Sequence, residues 1–318
     1  MSEIYNISIV VPIFNEEDNI KLLYENIMNV VSTNSYTYEI IFINDCSSDR
    51  SKIILDELSQ SDENCKVIHF IRNFGQTTAM TAGIDYAIGD IIIPMDGDLQ
   101  NDAEDIPKLL EKITDGYDVV SGWRKDRKDK GLTRVIPSKI ANWLISKISG
   151  VKLHDYGCSL KAYRKEVVKT ISLYGEMHRF IPIYAKWQGA RVTEIVVTHH
   201  PRKYGISKYG INRTFKVISD LLLLKFMEKY ATRPIHLFGM FGMFSLFSSF
   251  VSFILMMYFK YFGGKSFVQT PLPQLVILFF MIGILSVFMG FIAEILMRTY
   301  YESQNKKTYV LAESKNKI

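Results

Sequence analysis

Two stretches near the carboxyl end limit what this chain can fold into more than any other feature. Residues 235–259 (IHLFGMFGMFSLFSSFVSFILMMYF) and 272–293 (LPQLVILFFMIGILSVFMGFIA) contain no Asp, Glu, Lys or Arg. At about 1.5 Å of rise per residue, each helix would cross a hydrocarbon layer of roughly 30 Å. A pair of helices buried in a soluble core is the competing explanation, but core helices are usually shorter. Two spans return the chain to the side it came from, and the flanks fit this: Lys225, Lys229 and Arg233 precede the first, and Arg298, Lys306 and Lys307 follow the second. Lys260 and Lys265 lie in the connecting turn, so charge alone leaves the orientation open. The amino terminus, MSEIYNISIVVP, has no basic flank ahead of a long apolar region. No cleavable signal is expected, and the residues before the spans are expected to stay in the cytoplasm.

Residues 211–230 place Phe215, Ile218, Leu222 and Phe226 on one helical stripe, with Lys216, Asp220 and Lys225 elsewhere. The pattern predicts a helix lying at the membrane surface, with a core-packing helix as the alternative. The expected organisation is a domain over 1–210, an interfacial region over 211–233, a two-helix membrane domain over 234–298 and a tail over 299–318.

Net charge is +5, and residues 124–139 (RKDRKDKGLTRVIPSK) hold seven of the basic residues. On a membrane-tethered chain such a loop meets anionic lipid or a lipid phosphate more readily than nucleic acid. Three cysteines, Cys46, Cys65 and Cys158, have no Cys-x-x-Cys spacing, which argues for reduced thiols and against a structural zinc site. The adjacent pair His199–His200 points to opposite sides of an extended segment and reads as ordinary surface.

The first half alternates two periods. ISIVVPI (7–13) and EIIFI (39–43) are continuous apolar runs, and between them Ile20, Leu22, Leu23, Ile27, Val30 and Val31 recur at helical spacing. The alternation repeats: SSDRSKIILDEL as helix, KVIHFI as strand, TTAMTAGIDYAI as helix, DIIIPM as strand. This predicts an α/β domain with a parallel sheet covered on both faces, whose ligand lies beyond the carboxyl ends of the strands. Four such ends carry polar residues: Asn15–Glu16, Asn44–Asp49, Arg72–Gln76 and Asp96–Asp98. Neither G-x-G-x-x-G nor G-x-x-x-x-G-K-[ST] occurs, which excludes the usual dinucleotide and P-loop signatures.

Asp96 and Asp98 are two residues apart at a strand end, where bare carboxylates repel. A hard divalent cation with positions open for phosphate oxygens would resolve that repulsion. An acidic turn capping the next helix at Asp102 is the plainer alternative.

VPIFNEEDNI, FINDCSSD, RNFGQ and MDGDLQ together resemble the family-2 glycosyltransferases of GT-A (Rossmann-like) fold. DYGCSLKAYRKEVV and GISKYG narrow the resemblance to polyprenyl-phosphate glycosyltransferases, and RNFGQ, DLQND, RFIPI and SKY to the bacterial undecaprenyl-phosphate sugar transferases. The resemblance implies inverting transfer of a sugar from a nucleotide sugar, UDP-linked in preference to GDP-linked, to undecaprenyl phosphate. It implies a multi-pass protein of the bacterial inner membrane with its catalytic domain in the cytoplasm, assembled as a homotetramer, with no nucleic-acid partner. By the same resemblance, Pro12, Phe14, Glu16, Asp45, Arg72, Gln76, Asp96 and Gln100 bind the nucleotide sugar. Asp96 and Asp98 hold Mg²⁺ or Mn²⁺, and Arg124, Arg134, Ser138 and Lys208 bind the acceptor phosphate. Asp98, Arg124 and Asp155 are implied to be catalytic, Asp155 as a base or a donor-orienting group. The chain departs from the family's usual segment at Gly157–Cys158 and at Lys161, where Arg is usual. Two rivals are a processive polysaccharide synthase and a non-catalytic sugar-nucleotide sensor. The first is disfavoured because no Arg–Trp pair of a Q-x-x-R-W motif occurs.

Overall fold

The computed structural model describes residues 6–34, 36–125, 142–143, 145–147, 149–171, 177–201 and 234–303. The chain divides into two compact units, Met1–Leu221 and Leu222–Ile318.

The first unit is built on seven strands: β1 Asn6–Ile13, β2 Thr37–Asn44, β3 Cys65–His69, β4 Ile91–Pro94, β5 Val119–Trp123, β6 Lys161–Arg164 and β7 Val192–Val196. They lie in the order β3-β2-β1-β4-β6-β5-β7. Helices α1 Ile20–Thr33, α2 Ser51–Ser61, α3 Gln76–Tyr86 and α4 Ile106–Thr114 alternate with the first five strands, and α5 Lys165–Val168 and α6 Ile181–Trp187 follow β6. Side chains alternate across β1. Ile7, Ile9, Val11 and Ile13 join α1 and α4 in one core layer, while Val10 joins Ile41, Ile43, α3 and α6 in the other. A Cβ on Gly83 of α3 would lie 2.2 Å from Val10 Cγ1, so only glycine lets this helix press onto β1 and hold its first turn at the strand ends.

The expectation of a parallel sheet holds for β1 to β4 and for the β5–β7 pair, and is corrected at β6. That strand runs antiparallel to β4 and β5. The physical reason is the connection. A parallel strand needs a crossover back to the amino end of the sheet, whereas β6 enters at the end where β5 leaves, with Lys161 opposite Ser121. Residues 124 and 160 therefore both flank the rim that carries the ends of β1, β2 and β4.

The second unit contains α7 Ile235–Tyr261 and α8 Leu272–Ser303, both long and apolar enough to cross a membrane. The buried positions of α7 are Gly242, Ser245, Ser249 and Ser252. A Cβ on Gly242 would meet Val287 Cγ2 at 2.7 Å and the Gly283 carbonyl at 2.9 Å, and Ser249 Oγ donates to the Val276 carbonyl at 2.8 Å. This is close packing of small residues with one polar tie, the pattern that joins helices where lipid removes the hydrophobic drive. The large apolar side chains, Phe241, Phe244, Phe247, Leu285 and Phe288 among them, face outward. The interfacial stretch 211–233 and most of the expected tail, from residue 304, lie outside the described residues.

Candidate active site

Four parallel strand ends open onto a cavity of about 300 Å³ lined by Pro12, Phe14, Glu16, Asp45, Asn73, Gly75, Gln76, Asp96 and Asp98, with Ile13, Ala79 and Gly97. The rim is tightly wound. Among the described residues, the non-glycine positions with positive φ are Asn15 (54°), Cys46 (59°) and Leu99 (59°), one after each of β1, β2 and β4. Left-handed backbone costs an L-residue about 1–2 kcal/mol, so the surroundings must hold it. After β1 and β2 they do so by bonds between the two segments: Asn15 N–H donates to Ser47 Oγ, Ser48 N–H to Asn15 Oδ1, Glu16 N–H to Ser51 Oγ and Glu17 N–H to Asp49 Oδ2.

Asp45 is 4% exposed and accepts from two backbone groups, Phe74 N–H at 2.7 Å and Gly75 N–H at 2.9 Å. It thereby clamps the turn before α3, whose Gly75 has φ 91°. The next residue, Gln76, reaches across the cavity and donates Nε2 to Asp96 Oδ1 at 2.7 Å. Buried His178 braces the same helical turn through Thr77 Oγ1 at 2.6 Å.

On the opposite wall, Asp96 Oδ2 accepts from Ser159 Oγ at 2.6 Å, and Asp98 Oδ1 accepts from Gln100 N–H at 3.1 Å. The helix-capping alternative falls to Asp102, whose carboxylate accepts from Glu104 N–H, leaving Asp96 and Asp98 in the cavity wall. Two carboxylates on one wall are a hard-oxygen donor set that suits Mg²⁺ or Mn²⁺, with coordination positions left for ligand oxygens. Gln100 lies outside the cavity lining, its amide directed at the His200 carbonyl. The surface reading of His199 is corrected: it is 5% exposed and forms a β-bridge to Asn101, while His200 is exposed and bound to Asp102.

Beyond the Asp96 wall, Arg124 and Asp155 form a buried fork, Nε to Oδ2 at 2.7 Å and Nη2 to Oδ1 at 3.1 Å. Burial opposes the guanidinium charge, but Asp155 outweighs it and, with Asp96 also in reach, holds the Arg124 pKa above its ordinary value. Gly157 lies close beside them: a Cβ there would sit 3.1 Å from Arg124 Nη2, a tight contact that the guanidinium would have to ease. Beneath, Lys161 is 2% exposed, donates to the Tyr156 carbonyl, and is pushed down to about 8 chiefly by burial. Burial likewise pushes the Cys158 thiol up to about 11.

Of the residues singled out from sequence, Pro12, Phe14, Glu16, Asp45, Gln76, Asp96 and Asp98 share the cavity. Arg124 and Asp155 pair with each other outside its lining, and Arg72 lies outside it with its guanidinium 4.4 Å from the Phe74 ring centroid. Arg134, Ser138 and Lys208 lie outside the described residues. Asn73, placed by the sequence among the polar strand ends, lines the cavity too, whereas Ser159 and Asn101 were missed although both sit inside quoted motifs.

The sequence profile described as Glycosyl transferase family 2 matches residues 8–172, more than half of the chain. The chain belongs to glycosyl transferase family 2. A dodecaprenyl-phosphate galacturonate synthase of Rhizobium johnstonii is 40% identical over 311 residues, covering 96% of this chain and 92% of the relative. An undecaprenyl-phosphate 4-deoxy-4-formamido-L-arabinose transferase of Pectobacterium carotovorum is 38% identical, covering 70% of this chain and 68% of the relative. Among solved structures, glucosyl-3-phosphoglycerate synthase from Mycobacterium tuberculosis, crystallised with Mn²⁺, UDP and glucosyl-3-phosphoglycerate, superposes with a TM-score of 0.55 at 16% identity. That match covers 70% of this chain and 80% of the neighbour, and it establishes a shared GT-A fold. This family member is a glycosyltransferase, and its mixed α/β sheet is of the GT-A type.

Proposed function

We propose that this glycosyltransferase moves a sugar from a UDP-sugar to the phosphate of a polyprenyl phosphate at the cytoplasmic face of a membrane. The carrying observation is that Asp45, Asp96 and Asp98 share one cavity at the strand ends, with the Arg124–Asp155 fork at the same rim. The names of the two polyprenyl-phosphate relatives and the paired apolar helices support the acceptor and the membrane setting.

In this reading Pro12, Phe14, Glu16 and Asp45 take the nucleoside, and Asp96 and Asp98 hold a divalent cation. When bound, Mg²⁺ or Mn²⁺ offsets the charge that builds on the departing diphosphate. The acceptor phosphate is already an anion, so no strong base is needed. One of its oxygens forms the new bond to the anomeric carbon as the bond from that carbon to the diphosphate oxygen breaks, and the electron pair leaves with the nucleoside diphosphate. Direct attack inverts the anomeric centre. The obstacle is repulsion between two anions, which the basic side chains Arg124, Arg134 and Lys208, with the Ser138 hydroxyl, would answer through charge-assisted hydrogen bonds. Both oxygens of Asp155 accept from Arg124, which favours an orienting role for it over that of a base.

The test is label transfer by the purified full chain, with Mg²⁺ or Mn²⁺, from a panel of UDP- and GDP-sugars that includes UDP-galacturonate. Undecaprenyl and dodecaprenyl phosphate serve as acceptors. A metal-dependent, organic-soluble product from a UDP-sugar is expected. No transfer from any donor, with nucleotide binding intact, overturns the reading.

A further inference from the structure

The Asp96 carboxylate is gripped from both sides: Gln76 Nε2 donates to Oδ1, and Ser159 Oγ donates to Oδ2. Behind Ser159, the amide Nδ2 of buried Asn101 lies 2.7 Å from the same hydroxyl oxygen. The direction of each proton follows from the chemistry of the groups. An ionised carboxylate only accepts, so the single hydroxyl proton of Ser159 points at Asp96, and the lone pairs left on Oγ accept from Asn101. Both donors to Asp96 are neutral. They stop the carboxylate from rotating without cancelling the charge a cation would seek, which a lysine or arginine in the same place would do.

We propose that Ser159, backed by Asn101, is a positioning residue that fixes Asp96 for a divalent cation. Ser159 also ties this carboxylate to the segment bearing Asp155. Three residues separate the two, and the same stretch grips Arg124 at one end and Asp96 at the other. The cation wall and the anion-facing arginine therefore share one piece of backbone, so a displacement of either is felt by the other. Metal-ligating carboxylates are commonly tuned by partners of this kind, whose loss weakens the metal about tenfold or more.

The inference rests on the reading of Asp96 as a cation ligand, and the experiment separates the two. Mn²⁺ binding to the purified full chain is followed by electron paramagnetic resonance, with UDP and GDP present in turn. Nucleotide affinity is measured separately without metal. Ser159→Ala is expected to weaken Mn²⁺ about tenfold while metal-free nucleotide affinity stays unchanged, and Ser159→Thr, which keeps the hydroxyl, is expected to restore binding. Equal Mn²⁺ affinity in the wild type and Ser159→Ala overturns the positioning role and leaves Asp96 as a ligand. Parallel loss of metal-free nucleotide binding also overturns it, because it marks a general collapse of the site. A wild type that binds no Mn²⁺ with either nucleotide overturns both readings. Should Ser159→Ala melt below the assay temperature, Asn101→Ala carries the same expectation at smaller size, and unchanged Mn²⁺ affinity there counts against the proposal.

Discussion

Asp98 is 7% exposed, and its Oδ1 is already held by the Gln100 N–H, so Asp98→Asn preserves shape while removing charge. Turnover is expected to fall by at least about a hundredfold, the scale of losing a group that stabilises transition-state charge. The melting temperature should hardly move; activity near the wild-type level would refute the assignment. Lys161 makes a second prediction. Its folded pKa of about 8 lies below the value of about 10.4 for a free lysine, so between these limits the unfolded chain holds a proton the folded chain has released. Stability from this group therefore rises with pH across that window, and below about 8 the folded state carries the whole cost of burying the charge. Lys161→Met should melt higher than the wild type at pH 7, and the gap should narrow as pH rises toward 10; a pH-independent gap would contradict this. Asp45, Asp96 and Asp98 were legible in the sequence because acidic residues stood at the ends of apolar runs. Ser159 was not, because its partner is 63 residues away and a serine hydroxyl has no periodicity to betray it.

The amino end of the sheet is held by one carboxylate. Glu39 of β2 accepts from Ser8 of β1, from Lys66 Nζ of β3 at 2.6 Å, and from the Ile88 N–H, ahead of β4, at 2.7 Å. Burial would raise its pKa, but these donors more than offset that and keep it below the usual carboxylate range. Its stabilisation is thus present above about pH 4.3 and is lost as pH falls through the lower folded value. Glu39→Gln should cost about 1–3 kcal/mol at pH 7 and flatten the acid limb of the stability curve, as read by chemical denaturation; an unchanged midpoint would refute it. The elements of the first unit after β4 were not singled out in the sequence, but the first four strands and the helices between them were plain there, because a strand buried on both faces leaves a continuous apolar run. The reversal of β6 was not, since KAYR reads the same in either direction and only the route of the preceding segment decides its sense.

For the whole chain, the two-unit division and the paired apolar helices lead to a topological prediction. Reporters fused at either terminus should both score as cytoplasmic, and one placed at residues 262–271 as extracytoplasmic; termini on opposite faces would refute the two-span arrangement. The membrane helices announced themselves by composition, whereas their seam did not, because small residues such as Gly242 and Ser249 acquire meaning only once a second helix is set against them. The three left-handed residues at the cavity mouth carry a wider consequence. Glycine at the exposed Cys46 would adopt the same φ without the Cβ conflict, so Cys46→Gly should raise the melting temperature while slackening the cleft and slowing turnover, whereas at Leu99 the loss of a buried core side chain outweighs the relief. A screen that selected only for heat resistance would thus wear at the enzyme's working edge, because the position it favours at Cys46 lies on the rim of the cavity.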